Sequence, residues 1–349
     1  MKKKVIFFLP SRCAGAERVS ATISKFLNNE KFEVIYHLLG PENQMEEFLP
    51  ANRASVWHKQ ANNVTNLISA VRRIVKQEKP DIIYSSQMPY NWRIALATLG
   101  LPCKIIFRSN NYIYTQSFFQ KLRLAFAYRR ADKIIAQTEE MREGIVKKLF
   151  INEKKVITLA NPIDEDYINQ KLLNVKSPYH EGCLNFVGIG RFHKNKGFDI
   201  LIEAFAKVIK EKPNAVLYLV GRNNDNPPYF NLLMNLIEKY QLQDKVKIEG
   251  FQNNPYKYMK YADCFVLSSR IEGLPNVLIE ALYTGTPVAA TTCVPVVSRI
   301  VDNGVNGFLA QKENPDSLAE AMIKASGLGR IQSTYAQSSR QSFMDLFME

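Results

Sequence analysis

Two glutamates, Glu272 and Glu280, stand with seven residues between them within Ser268–Ala281 (SSRIEGLPNVLIEA). A tight Gly273-Leu274-Pro275 turn lies between them. Upstream, the apolar run Cys264–Leu267 (CFVL) reads as a buried strand. Downstream, Val277, Leu278, Ala281 and Leu282 recur at helical spacing,. Pro275 suits the first helical position, where its missing N–H has no partner to lose. A strand, a glycine loop and a helix start aim free backbone N–H groups, here those of Asn276 and Val277, at an anion such as a diphosphate. Glu272 then sits in the loop mouth. Glu280 falls about one turn into the helix, within reach of hydroxyls beside that anion. The spacing alone also fits an ordinary solvated helix, so the surrounding motifs decide.

A second set opens the second half of the chain with Val187-Gly188-Ile189-Gly190-Arg191-Phe192, a strand running into a glycine turn. Lys194, Lys196 and Gly197 follow. The glycines allow a close backbone turn, and Arg191 and Lys196 place two cations at its edge. Set against the Glu272 loop, they would clamp a diphosphate; taken singly, they would be solvated surface charges. Gly221-Arg222 and Gly250-Phe251-Gln252 also follow candidate strands. Near the N-terminus, Cys13-Ala14-Gly15-Ala16-Glu17-Arg18 follows the first strand and opens a helix, and Gly15 would let a ligand approach the backbone. Arg108-Ser109-Asn110-Asn111 follows a further strand and reads equally as a ligand contact or a capping turn. Asp164-Glu165-Asp166 imitates a metal-binding DxD, but it lies in the Asn161-Pro162 turn, and the four histidines show no ligand spacing. No metal and no cofactor is expected.

The elements that would position these residues alternate strand and helix, which predicts parallel sheets with crossover helices. Strands are expected at 4–9, 33–38, 81–84, 104–107, 133–136 and 155–159. A second series is expected at 183–189, 215–220, 245–249, 264–267, 287–290 and 307–309. Helices are expected at 17–27, 64–77, 117–130 and 139–150, then at 198–210, 229–240, 255–261, 275–284, 296–301 and 315–326. The fold class is α/β, with two doubly wound domains: 1–178 (linker from about 165) and 179–330. Residues 331–349 form a tail that either frays or packs back on the first domain as a helix. Ligands of such sheets bind beyond the carboxyl ends of the strands.

The chain has 349 residues, 46% hydrophobic and 23% charged, which is ordinary for a soluble protein of about two domains,. It shows no apolar run of about 18 residues, so no spanning helix is expected. The start, MKKKVIFFLP, imitates a secretory leader, but its apolar run stops at Pro10. Five widely spaced cysteines argue for a reducing cytoplasm,. Charge is uneven: residues 1–178 hold 28 Lys and Arg against 16 Asp and Glu, and residues 179–349 hold 18 against 17. The first half therefore suits an anionic partner. No helix-turn-helix, zinc finger or RNP-like aromatic sequence is present to read nucleic acid.

Ser268–Ala281 resembles the E-x7-E motif of glycosyltransferase family 4, and Gly190-Arg191-x4-Lys196-Gly197 resembles that family's G-R-x4-K-G block. Blocks near 13–18, 188–197, 246–251 and 261–290 occur in the family's order. The resemblance implies a GT-B fold, two Rossmann-like domains facing a central cleft, with acceptor on the first and nucleotide-sugar on the second. It implies a metal-independent retaining transfer of a hexose or N-acetylhexosamine, with a UDP-sugar favoured. Arg191 and Lys196 would stabilise the departing diphosphate, Glu272 would hold a sugar hydroxyl and Glu280 the ribose. Gly190, Gly221, Arg222, Phe251, Gly273, Leu274, Asn276 and Val277 would line the donor site, with Gly15 contributing from the first domain. There Ala14 replaces the first of the family's paired glycines. The histidine many members carry after the strand at 104–107 is absent, so Arg108 or Asn110 would contact acceptor or donor sugar. The implied acceptor is a lipid-linked saccharide in cell-surface polysaccharide synthesis, worked on from the inner face of the plasma membrane. Phe118–Lys133 (FFQKLRLAFAYRRADK) would either touch an anionic membrane surface or belong to the core. Two other functions fit such a fold, a nucleotide-sugar epimerase and an inactive binding subunit.

Overall fold

Short runs of Val, Ile, Leu and Phe form strands buried on both faces, and the amphipathic stretches between them form helices that cover those faces. The computed structural model describes residues 2–12, 15–41, 43–59, 64–222, 227–332 and 340–349. The first series of strands is β1 (Lys3–Pro10), β2 (Phe32–Leu39), β3 (Ala54–His58), β4 (Ile82–Ser85), β5 (Lys104–Ser109), β6 (Lys133–Ala136) and β7 (Val156–Thr158). The second is β8 (Leu184–Ile189), β9 (Ala215–Val220), β10 (Val246–Gly250), β11 (Cys264–Leu267), β12 (Val288–Thr291) and β13 (Gly307–Ala310). The helices are α1 (Gly15–Phe26), α2 (Val64–Glu78), α3 (Met88–Ala97), α4 (Phe118–Arg130), α5 (Glu139–Leu149), α6 (Glu165–Lys171) and α7 (Phe198–Glu211). They continue with α8 (Pro227–Lys239), α9 (Tyr256–Tyr261), α10 (Asn276–Tyr283), α11 (Val297–Ile300), α12 (Pro315–Ser326) and α13 (Arg340–Met348).

The chain divides into two compact units, Met1–Ile163 with Gln337–Glu349, and Asp164–Ala336. The first carries the sheet β3-β2-β1-β4-β5-β6-β7, the second β10-β9-β8-β11-β12-β13. Every strand pairing is parallel. In each sheet the first strand of the series lies inside the sheet, β1 between β2 and β4 and β8 between β9 and β11. The order therefore reverses at β1/β4 and at β8/β11, and a doubly wound sheet binds ligands at such reversals. Among the described residues no helix is long and apolar enough to cross a membrane.

Three elements differ from the sequence expectation. β3 was not foreseen because it is an exposed edge strand with no buried face to impose alternation,. α3 shows no clear apolar stripe, although Pro89 sits in its first turn, where a missing N–H costs nothing,. α6 falls in the stretch read as linker. The Asp164 carboxylate accepts the Tyr167 N–H at 3.2 Å, and Glu165 and Asp166 occupy its first turn. The acidic triplet is thus a helix start, favoured by the helix dipole. α6 groups with the second unit: Asn169 donates to the Tyr283 hydroxyl at 2.9 Å, and Asn254 donates to the Lys171 carbonyl at 2.7 Å. The boundary accordingly falls at Asp164, and not at 178. At the other end, α13 returns to the first unit and inserts Phe343, Leu346 and Phe347 into its core. The Phe347 ring stacks 6.0 Å from Phe7 of β1. The part of the tail at 333–339 lies outside the described residues.

Candidate active site

The site is built at the β8/β11 reversal of the second unit. After β8 the chain makes a turn through Gly190 and Arg191, a short 3-10 turn at Lys194–Lys196, and then starts α7. Gly197 makes that start possible. Its φ is +65°, and a Cβ there would lie 2.1 Å from the Ser268 carbonyl oxygen. Only a glycine lets the two loops pass so closely. The loops are also bonded together. The Ser268 hydroxyl donates to the Lys196 carbonyl at 2.9 Å, and the Arg270 N–H to the Asn195 carbonyl at 2.7 Å.

This contact brings two predicted residues together. Lys196 Nζ lies 2.6 Å from Glu272 Oε1, with side chains 23% and 11% exposed. The Ser269 hydroxyl donates to the same oxygen at 2.6 Å, and the Ser269 carbonyl accepts from Thr291 at 2.7 Å. Glu272 is thus an oriented carboxylate beside an ammonium, at the mouth of the loop that enters α10. Cys293, near that carboxylate, has its thiol pushed up to about 12 by burial first and by the Glu272 charge second.

Pro275 is the cap of α10 and not its first residue. Its ψ of 86° lies outside the helical range, and Asn276 and Val277 take the first two helical positions. Their N–H groups are among those a helix leaves without internal partners. Leu274 is buried and anchors the loop, while Gly273, Asn276 and Val277 are half-buried. Glu280 lies in the second turn, with Tyr256 Oη 3.5 Å from its Oε1. Arg191 is exposed at the tip of the β8 loop.

The neighbouring loops close round the same edge. Gly221, with φ +155°, passes so close that a Cβ would meet the Gly190 oxygen at 1.7 Å. The Gly190 N–H donates to the Val220 carbonyl at 2.9 Å and the Phe192 N–H to the Arg222 carbonyl at 2.8 Å. Arg222 lies over the exposed Phe251 ring, 4.2 Å from its centroid. A guanidinium on an aromatic face makes a flat, solvent-facing pair.

One residue was missed by the sequence reading. Arg270 donates to both carboxylate oxygens of Asp199, at 2.8 and 2.7 Å, to Glu313 at 2.9 Å and to the Lys194 carbonyl at 2.9 Å. The hydrogen bonds that Arg270 donates to Asp199 hold the guanidinium charge more firmly than usual. Burial pushes the Asp199 carboxyl up, but the bonds from Arg270, Tyr229 and its own N–H outweigh that and leave it below its ordinary value. Tyr229 donates to Asp199 at 2.7 Å. This cluster fastens the β8 loop to the β11 loop. No local spacing could have revealed it, because the partners are 71 residues apart.

In the first unit the predicted residues are placed differently. Gly15 is exposed at the start of α1, and Cys13 and Ala14 lie outside the described residues. Arg108 is not in a loop: it belongs to β5, is 1% exposed, and donates through Nη2 to Asn161. Burial lowers its pKa, and Tyr84 and then Glu17 act in the other direction. Arg108 is thus enclosed within the first unit at the end of β5. Asn110 is half-buried; it donates to the Ser86 carbonyl and accepts from Gln137 at 2.9 Å. Among the described residues no group of three His, Cys, Asp or Glu is placed to hold a metal ion.

The profile described as Glycosyltransferase Family 4 matches residues 14–167, and that described as Glycosyl transferases group 1 matches residues 175–341. The chain belongs to the family 4-like glycosyltransferases. It is 32% identical over 242 residues to an uncharacterized glycosyltransferase of Methanocaldococcus jannaschii, covering 64% of this chain but only 58% of that relative. It is 27% identical over 347 residues to a Campylobacter jejuni enzyme, covering 92% of this chain and 89% of the relative. That enzyme is named N-acetylgalactosamine-N,N'-diacetylbacillosaminyl-diphospho-undecaprenol 4-alpha-N-acetylgalactosaminyltransferase. Among solved structures, Anabaena HepE in complex with UDP-glucose superposes with a TM-score of 0.78 at 18% identity, covering 99% of this chain and 98% of that one. The fold is therefore the two-domain α/β fold of the GT-B type.

Proposed function

We propose that this glycosyltransferase moves a hexose or N-acetylhexosamine from a UDP-sugar to a lipid-diphosphate-linked saccharide, with retention at the anomeric carbon. The observation that carries the donor half is the Lys196–Glu272 pair at the β8/β11 reversal, beside the N–H groups of Asn276 and Val277. A diphosphate placed there meets a helix start and two cations. Lys196 would pass from Glu272 to the phosphate oxygens as the donor enters, leaving Glu272 to accept from a sugar hydroxyl. Arg191, exposed at the loop tip, would close on the same anion. Glu280 would take the ribose hydroxyls, and the Arg222–Phe251 pair would flank the base. UDP-glucose in the structurally similar Anabaena protein supports the nucleotide class. The Campylobacter relative's name supports the acceptor class.

In the reaction proposed, the bond from the anomeric carbon to the phosphate oxygen breaks while the acceptor oxygen bonds to the same face. The acceptor hydroxyl proton goes to the departing phosphate oxygen. The protein supplies positioning and positive charge for the growing phosphate charge. The test is a transfer assay with UDP-sugars and an undecaprenyl-diphosphate saccharide. Arg191→Ala should lower turnover on the order of 10²–10³-fold while keeping the fold. Near-normal turnover would remove Arg191 from the mechanism. Turnover of the donor without any acceptor would replace transfer by epimerisation or hydrolysis.

A further inference from the structure

From Ile82 to Ala131 the chain carries seven Lys and Arg and not one Asp or Glu. This stretch contains α3 and α4, which pack against each other. α4 is amphipathic in an unusual sense. One face, with Leu124, Ala125, Ala127 and Tyr128, is buried in the first unit. The opposite face is also apolar. Phe118 is 69% exposed, Phe119 71%, Leu122 53% and Phe126 41%. Phe118, Leu122 and Phe126 recur every four residues, so they form one stripe along the helix. Tyr114, in the 3-10 turn that precedes the helix, is 66% exposed. Arg123 and Arg129 are exposed on the same helix. Arg123 and Arg93 lie over the half-buried Trp92 ring, 5.3 and 5.1 Å from its centroid. On α5, which packs on α4, Glu139 and Glu143 are paired with Arg142 and Lys147.

Scattered exposed apolar residues are ordinary, but a contiguous stripe of phenylalanine and leucine marks a surface meant to be covered. Its chemistry selects the cover. Large aromatic side chains bordered by Arg and Lys, with Trp and Tyr at the margin, suit the boundary of an anionic bilayer. We propose that the exposed face of α4 docks on an anionic lipid membrane, with Phe118, Phe119, Leu122 and Phe126 entering the headgroup–acyl boundary. Arg93, Arg123 and Arg129 would meet lipid phosphates. The sequence FFQKLRLAFAYRR left membrane contact and core equally open; the structure divides it between the two faces of one helix.

The inference deepens the lipid-linked acceptor reading and rests on it only for purpose, because vesicle binding is measured with neither substrate present. Purified full-length protein is sedimented with vesicles of phosphatidylcholine alone, and with vesicles containing about one-quarter phosphatidylglycerol. Binding should be several-fold tighter to the anionic vesicles and should weaken as salt rises. Phe118→Ser with Phe119→Ser should lower the partition constant by about tenfold or more per residue. Arg123→Gln with Arg129→Gln should lower it by about fivefold per cation. Because all four side chains are exposed, the thermal midpoint should move by no more than about a few degrees and UDP binding should stay unchanged, which separates this test from that of the donor site. No vesicle binding, equal binding to neutral and anionic vesicles, or phenylalanine variants that bind undiminished would each overturn the proposal. A wild-type dimer that becomes monomeric in the phenylalanine variant would assign the stripe to self-association and overturn it too.

Discussion

Replacing Arg270 by Ala removes the clasp between the two donor-site loops without touching any residue proposed to meet the donor. Its guanidinium and the Asp199 carboxylate are 16% and 17% exposed, joined by two bonds of 2.7–2.8 Å. An exposed ion pair contributes about 0–1 kcal/mol, and removing one partner of a fully buried pair costs about 3–5 kcal/mol. This pair lies between those limits. Asp199 would also keep Tyr229 and its own N–H, so the cost should be about 2–3 kcal/mol. For a unit of this size that corresponds to a fall of roughly 4–10 °C in the thermal midpoint. The loss of the bond to the Lys194 carbonyl should also loosen the segment carrying Lys196, weakening UDP affinity about tenfold. Arg270→Lys should recover only part of either effect, since an ammonium cannot bond both carboxylate oxygens in the planar fork. A thermal melt and a UDP titration of Arg270→Ala, Asp199→Ala and the double variant form a cycle. The coupling energy should be about 1.5–3 kcal/mol. Additive losses, or an Arg270→Ala protein that melts and binds like wild type, would refute the clasp.

Three further outcomes follow from the same geometry. Gly197→Ala places a methyl 2.1 Å from the Ser268 oxygen at φ +65°; it should cost at least about 1–3 kcal/mol of stability, read by urea unfolding. Glu280→Ala should weaken UDP binding by about tenfold or more while leaving a 2',3'-dideoxyribose analogue unaffected, as loss of charged bonds to both ribose hydroxyls requires. His37 is held near a pKa of about 4 by burial first and by His58 second, with 2.8 Å between Nδ1 and the His58 Nε2. The unfolded chain binds this proton from about pH 6.5 downward and the folded chain only near pH 4. Stability is therefore intact above pH 6.5 and should fall by up to about 3 kcal/mol as pH drops to 4. A His37→Gln protein that keeps the same slope over that window would assign the loss elsewhere.

The sheets were legible because their central strands are buried on both faces and read as short apolar runs. Cys264–Leu267 and Ala215–Val220 carry their boundaries in the sequence itself. The exposed edge strand β3 carries no such signal, and α6 was hidden because its capping acids resemble a ligand motif. The glycine loops of the site were legible for a local reason. Gly197 and Gly221 occupy backbone conformations and close approaches that a side chain would block. What crossed long distances in the chain was not legible. The Arg270–Asp199 clasp joins two loops that no spacing relates. Arg108, placed by sequence just past a strand, turned out to lie inside β5, where burial decides its surroundings. The two faces of α4 were likewise inseparable in one dimension, since both are apolar.

The central claim is that the β8 and β11 loops form a diphosphate site, with Lys196 as one of its cations. Calorimetric titration with UDP and with uridine, on wild type and on Lys196→Ala, tests it most directly. The account predicts that wild type binds UDP far more tightly than uridine. Lys196→Ala should lose about tenfold or more of the UDP affinity and none of the weaker uridine affinity. Equal binding of UDP and uridine by wild type, or a Lys196→Ala protein with undiminished UDP affinity, would contradict it.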